Sequence, residues 1–329
     1  MNFRKRAFLA ATGGALLSRM AGPAWAATGA FPTRPIRIVV PNAAGGAADL
    51  TARAVAQRIS GPLGQSVVIE NRPSAGGIVA GELVARADPD GHTLLLVSSG
   101  TAVSAALFRT LPFDTLKDFA PVSQLAVFDL AIVVAEGGRF KSLSDLLAYA
   151  RANPGKLNIC TPQIGTTQTL AAELFKLTAG IELQVVPFNG TPPVITALRG
   201  GQLDAAVDIL GPLMPQITGR ALRPVAVMGA ERAPQLPEVP ALREAGGPLA
   251  NFNVSSWNGL AAPAKTPPEI IERLSREVRA ALAQPDVKQR LLELNLTARG
   301  STPAQLGEHL AADIRRWSEV IARAGIARQ

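Results

Sequence analysis

Two short loops of small residues carry the pattern in this sequence best suited to chemistry. Pro41-Asn42-Ala43-Ala44-Gly45-Gly46-Ala47-Ala48-Asp49-Leu50 follows the strand-like run Ile36–Val40 and leads into a helical pattern. Cys160-Thr161-Pro162-Gln163-Ile164-Gly165-Thr166-Thr167-Gln168-Thr169-Leu170 does the same after Leu157. Setting Gly45 against Gly165 brings Leu50 onto Leu170 and Ala52 onto Ala172. Each loop ends at a helix N-terminus, where unbonded N–H groups and the positive end of the helix dipole favour an anion. Glycine there lets a ligand approach the backbone. Two such mouths face to face could hold both ends of a small dianion without any Arg or Lys. Either loop alone fits an ordinary tight turn equally well, with Asp49 a first-turn acid favoured by the dipole; the duplication argues for a site. Neither loop is a G-x-G-x-x-G or Walker A sequence, so no nucleotide is implied.

Covalent catalysis finds little to work with. His92 and His309 are the only histidines and Cys160 the only cysteine, which excludes a His-rich metal site and an internal disulfide; Cys160 is expected as a buried thiol. Ser98, Ser99 and Ser104 offer hydroxyls, but His92 opens the strand that Ser98 closes. A nucleophile needs its base within about 3 Å, and no G-x-S-x-G elbow is present. An exported hydrolase is therefore the weaker alternative, and no catalytic residue or cofactor is expected.

The elements that would position the two loops form two α/β series. In the first, Ile36–Val40, Val67–Ile69 and Thr93–Val97 read as strands. They alternate with helices at 49–60 (Ala52, Val55, Ala56 and Ile59 on one face) and 78–87. In the second, strands at 131–134, 157–160, 183–186, 205–208 and 224–227 alternate with helices at 143–151, 167–178 and 194–198. Such alternation implies mainly parallel sheets joined by right-handed crossovers. The C-terminal part is helical, with core-facing stripes Ile270, Leu274, Val278, Ala281, Leu282 and Leu306, Leu310, Ile314, Trp317, Ile321. The segments 122–127 and 253–262 are too short for tethers and suit two hinge crossings. The expected organisation is a lobe from 27–125 with 254–329 and a second lobe from 126–253.

The N-terminus addresses the chain for export. Arg4-Lys5-Arg6, the uncharged run Ala7–Leu17 and Ala24-Trp25-Ala26 make a signal peptide cleaved near Ala26. The run is well short of the ~20 residues a membrane helix needs. Lys5-Arg6-Ala7-Phe8-Leu9 also resembles a twin-arginine signal, leaving the export route open. The formal charge of +8 is halved when Arg4, Lys5, Arg6 and Arg19 leave with the signal. The remainder forms no basic stripe, so nucleic acid is not an expected partner.

A series of motifs resembles one known family. These are Pro35-Ile36-Arg37 with Gly45-Gly46 and Asp49, Glu70-Asn71-Arg72-Pro73-x-Ala75-Gly76-Gly77, and Pro89-Asp90-Gly91-x-Thr93-Leu94-Leu95. Later come Lys117-Asp118-Phe119-Ala120-Pro121-Val122, Pro154-Gly155-Lys156-Leu157-Asn158, Val186-Pro187-Phe188-x-Gly190, Gly200-Gly201-Gln202-x-Asp204 and Leu236-Pro237-x-Val239-Pro240. In this order, from Phe31 to Ile326, they resemble the tripartite tricarboxylate transporter substrate-binding proteins, the Bug family. The resemblance implies a periplasmic, type II-like Venus-flytrap protein whose lobes close on a small organic carboxylate held by backbone amides and water. Carried over, Gly45, Gly46 and Ala47 would take one carboxylate with Asp49 bracing the loop. Ser99, Gly100 and Thr101 would add contacts, and Gly165, Thr166 and Thr167 would receive the other end. Asp208 would meet a ligand amine or hydroxyl. Asn42, Phe188, Asn189 and Gly190 fall at pocket positions. Asn42-Ala43-Ala44 replaces the Phe-Pro-Pro frequent in relatives, which implies a wetter, less aromatic floor. The implied partners are membrane transporter subunits or, alternatively, a sensor histidine kinase, with the binding protein itself a monomer.

Overall fold

The computed structural model describes residues 31–162, 166–188 and 190–329; the expected signal peptide lies outside them. The first lobe opens with β1 (Ile36–Val40), α1 (Ala47–Leu63), β2 (Val67–Asn71), α2 (Ile78–Ala85), β3 (Thr93–Ser98) and α3 (Ser99–Leu107). β4 (Phe119–Ala135) runs on into the second lobe. This lobe comprises α4 (Leu143–Ala152), β5 (Leu157–Thr161), α5 (Thr167–Ala179), β6 (Leu183–Pro187), α6 (Thr191–Arg199), β7 (Ala205–Ile209), α7 (Leu210–Thr218) and β8 (Leu222–Val227). β9 (Ser255–Pro263) returns to the first lobe, which ends with α8 (Pro268–Ala283), α9 (Pro285–Glu293), β10 (Thr297–Ala298) and α10 (Pro303–Arg323).

β1 pairs in parallel with both β2 and β3, and β5 with both β6 and β7, as the alternating series implied. The remaining pairings are antiparallel. β9 lies between β3 and β4, and the upper part of β4 pairs with β7 and β8. The two segments expected as hinge crossings thus lie largely in paired antiparallel strands, with register shifts between Pro121 and Ser123 and between Gln124 and Ala126, not in connecting loops. The 17-residue β4 matches β9 from Phe119↔Pro263 to Asp129↔Ser255. From Leu130↔Ile209 onward it matches β7. Pairing therefore passes from one lobe to the other between Asp129 and Leu130.

Three apolar clusters hold these layers. One lies under α1, α8 and α9, with Ala52, Val55, Ala56 and Ile59 all buried as their spacing required. Another packs Val194, Leu198 and Leu213 of α6 and α7 on the second sheet. The largest runs beneath α2, α3, α4, α5 and α10 and joins the lobes, burying Leu306, Leu310, Trp317 and Ile321. Trp257 of β9 donates its indole N–H to Asp313 of α10 at 2.7 Å, fixing the C-terminal helix to the hinge. On α5 the buried face centres on Leu170, Ala171, Phe175 and Ala179, with Leu174 and Leu177 only half-buried.

Three helices had no counterpart in the sequence reading. In α3, Ser-Gly-Thr-Ala-Val-Ser-Ala-Ala-Leu is buried on most sides, so no polar face produces a helical period. In α7, Gly211, Pro212 and Pro215 read as breakers, yet Pro212 sits in the first turn, where a missing N–H costs nothing. In α9 the stretch is short and opened by Pro285, which reads as the end of α8.

Candidate functional site

A cavity of about 380 Å³ opens where the carboxyl ends of the strands from both lobes meet. Among its described lining residues there is no Lys, Arg, Asp or Glu. Instead, six helix N-termini reach it. Gly46, Ala47 and Ala48 come from α1, Gly77 from α2, and Ser98 to Thr101 from α3. Thr166 to Gln168 come from α5, Thr191 from α6, and Ile209 and Pro212 from α7. Each N-terminus carries roughly half a positive charge, effective only within the first turn. A small anion among them would meet favourable potential from both lobes without a cationic side chain.

The α1 mouth shows how such a site is held open. Gly45 has φ +82°, which suits glycine, and its N–H donates to Asp49 Oδ2 at 2.9 Å. Arg53 donates to the same oxygen at 2.9 Å. Burial raises the Asp49 carboxyl, but Arg53 and the Gly45 amide outweigh it and hold the group below the usual range. Asp49 stays ionised yet neutralised behind the loop. No hydrogen bond among the described residues claims the amides of Gly46, Ala47 or Ala48, the orphan donors of a helix start. Asn258 of β9, itself buried, donates to Thr51 Oγ1 at 3.0 Å, and Thr51 bonds Ala47 O at 2.7 Å, fixing the mouth to the hinge strand.

Across the cleft, α3 meets α5. Thr167 donates to Ser99 Oγ at 3.1 Å, and Ser99 shares a short hydrogen bond with Ser256 of β9. All three are buried, so a chain of hydroxyls ties both lobes to the hinge. A buried hydrogen bond of this kind is worth about 1 kcal/mol net. Thr167→Val is therefore expected to loosen closure, raising the ligand Kd about 5-fold and enlarging the radius of gyration in small-angle scattering. No change in either would show the bond to be incidental.

The cavity brings together Asn42, Gly46, Ala47, Ser99, Gly100, Thr101, Thr166 and Thr167 of the expected residues. Of the other expected residues that are described, Gly45, Asp49, Phe188, Gly190 and Asp208 do not line it. Gly45 turns its amide to Asp49 and does not line the space. The Thr101 hydroxyl accepts from Ser98 N–H at 3.0 Å and so caps its own helix. Phe188 packs on the second lobe's core and Gly190 caps α6, its N–H on Pro162 O. Asp208 lies sealed beneath the lining. Its Oδ1 accepts from the Ile209 amide and Gln168 Nε2, and no described group bonds Oδ2 in good geometry. Burial raises its carboxyl, against the pull of Thr191, Ile209 and Gln168. Gly165 and Asn189 lie outside the described residues. Ser74, Gln168, Thr191 and Asn258 line the cavity unannounced; the Gly76-Gly77 block was the one signal pointing toward Ser74. The floor also differs from expectation, because Phe113 and Phe128 supply the aromatic wall that Asn42-Ala43-Ala44 lacks.

No catalytic pairing emerges among the described residues. His92 lies at the start of β3, edge-on to Phe31 with its Nε2 bonded by Thr33 N–H, at the far end of the strand from Ser98. Cys160 is fully buried and bonds Ala205 O at 3.3 Å, and burial pushes its thiol up to about 12.

A family model described as the tripartite tricarboxylate transporter family receptor matches residues 51–326. A protein from the tcbD-tcbE intergenic region of Pseudomonas sp. strain P51 is 38% identical over 89% of this chain and 87% of its own. The periplasmic binding protein BugD superposes with a TM-score of 0.78 at 30% identity, covering 91% of this chain and 100% of that one. The R. palustris protein Rpa4515, solved with adipate, gives 0.80 at 34%, covering 90% and 99%.

Proposed function

This chain belongs to the tripartite tricarboxylate transporter receptor family, and on that premise we propose that it captures a small organic carboxylate between its lobes in the periplasm and passes it, unaltered, to a membrane transporter. The observation that carries this reading is the neutral cavity ringed by helix N-termini from both lobes. An anion there would gain charge-assisted hydrogen bonds in a closed, dry cleft, while the open form would offer only one wall. The ligand therefore favours the closed form by its differential contacts. The flexing element is β4, which pairs with β9 up to Asp129 and with β7 from Leu130 onward and so carries the sheet from lobe to lobe. Residues 1–26 act as the export signal, and the mature protein works as a monomer.

A thermal-shift screen of the purified protein against mono-, di- and tricarboxylates, amino acids and neutral analogues tests this. A ligand at a hundred times its Kd adds about 2.7 kcal/mol to native stability, so a true ligand class stands out. Shifts confined to carboxylates are expected. Shifts with neutral compounds only, or with none of the acids, would contradict the reading.

A further inference from the structure

The anion mouth of α1 carries a carboxylate of its own. Asp49 stands in the first turn of α1 with its side chain only 3% exposed. Left unneutralised, it would consume the positive end of the helix that an anionic ligand needs. Its Oδ1 is sealed without a partner among the described residues. Its Oδ2 accepts from Arg53 Nε, and Arg53 is the one cation among those residues that pairs with it. Arg53 itself does not line the cavity. Its side chain is 52% exposed and lies in a surface groove that α1 shares with α9. The second arm of the guanidinium, Nη2, donates to Asn71 Oδ1 at 3.3 Å, and Asn71 Nδ2 donates to Asn42 O at 3.0 Å. Asn71 thus keeps the guanidinium in place behind the loop.

We propose that Arg53 is a positioning residue that sets ligand affinity from outside the cleft, by cancelling the charge of Asp49 so that the α1 mouth stays open to an anion. The inference rests on the carboxylate reading above and adds a residue that never touches the ligand. An ordinary exposed ion pair contributes little. In this pair the acid is buried within the mouth itself, where repulsion of a bound anion is weakly screened. Asp49 is also needed as the acceptor that holds the Gly45 amide, so the fold keeps the carboxylate and neutralises it from the far side.

The probe is whichever of adipate, malate and hexanoate gives the largest thermal shift or, should none respond, the acid that leads the wider carboxylate screen. Calorimetry then measures its Kd on each variant, with melting of the unliganded protein as the check on folding. Arg53→Met is expected to weaken the acid at least ~10-fold. Adding Asp49→Asn to Arg53→Met removes the stranded charge and keeps an acceptor for the Gly45 amide. This double variant is expected to bind at least ~5-fold more tightly than Arg53→Met alone. A role confined to bracing the loop would give no such rescue. Should Arg53→Met not fold, the double variant decides alone, with a Kd within ~10-fold of the wild type expected. An Arg53→Met protein that binds as tightly as the wild type, a loss that Asp49→Asn does not relieve, or a double variant beyond that limit overturns the inference and leaves the carboxylate reading standing. A screen in which no acid shifts the melting contradicts that reading and this inference with it.

Discussion

Gly46→Asp is expected to lower carboxylate affinity at least ~100-fold while the unliganded protein stays as stable as the wild type. Gly46 is the N-cap of α1 with φ −80° and ψ 170°, a conformation open to any residue. A Cβ there would meet only Ala43 O, at 3.6 Å, an ordinary contact. Asp is moreover a preferred N-cap, because its carboxylate accepts from the amides of the first turn. The substitution therefore supplies the helix with its own anion and claims the donors intended for the ligand. Two like charges about 4 Å apart near a protein surface repel by roughly 4 kcal/mol, which alone exceeds a hundredfold loss. Gly46→Asn, a neutral cap of the same shape, should lose much less and so separates charge from occupancy. Calorimetry for affinity and thermal melting without ligand for folding check both variants. Undiminished affinity of the Asp variant would remove the α1 mouth from the site.

The second large effect concerns stability and pH. Asp129 ends the β4–β9 register at the point where β4 passes to the second lobe. No ion pair or hydrogen bond among the described residues holds its carboxyl, and a side chain at Gly229 would collide with it. Burial pushes it up to about 6. The folded protein then holds this proton more tightly than the unfolded chain, whose aspartate titrates near 3.9. Stability from this group is complete below about pH 4, falls as pH rises, and is lost by about pH 6 to 7. The ionised group costs the fold about 3 kcal/mol at neutral pH. Asp129→Asn is expected to recover about 2 kcal/mol at pH 7.5 and nothing at pH 4, as read by urea denaturation across that range. A variant equally destabilised at both pH values would show that the carboxylate is tolerated at the hinge.

What could be read from the sequence follows from how each element meets water. α1, α8 and α10 each have one wet face, so their stripes were legible from Ala52 to Ile59 and from Leu306 to Ile321. The α1 loop was legible because Gly45 and Asp49 are both unusual there for a reason, a positive φ and a carboxylate that holds the turn. α3 is enclosed and its small residues show no period, so its mouth was anticipated residue by residue without the helix that forms it. Phe113 and Leu111 come from a loop brought to the cavity by packing, which no local pattern records. Asp208 was expected at the surface of the cleft, but α7 begins at the next residues and seals it.

A calorimetric titration of the tightest-binding acid and of its primary amide, followed by spectroscopic recovery of the ligand, tests the anion-holding cleft most directly. The neutral amide keeps the shape of the acid but gives the helix mouths no anion. The acid is predicted to bind once per chain, at least ~100-fold more tightly than the amide, and to be recovered unchanged. An amide that binds as tightly, or an acid recovered as a different compound, would contradict a cleft built to hold an anion and do nothing to it.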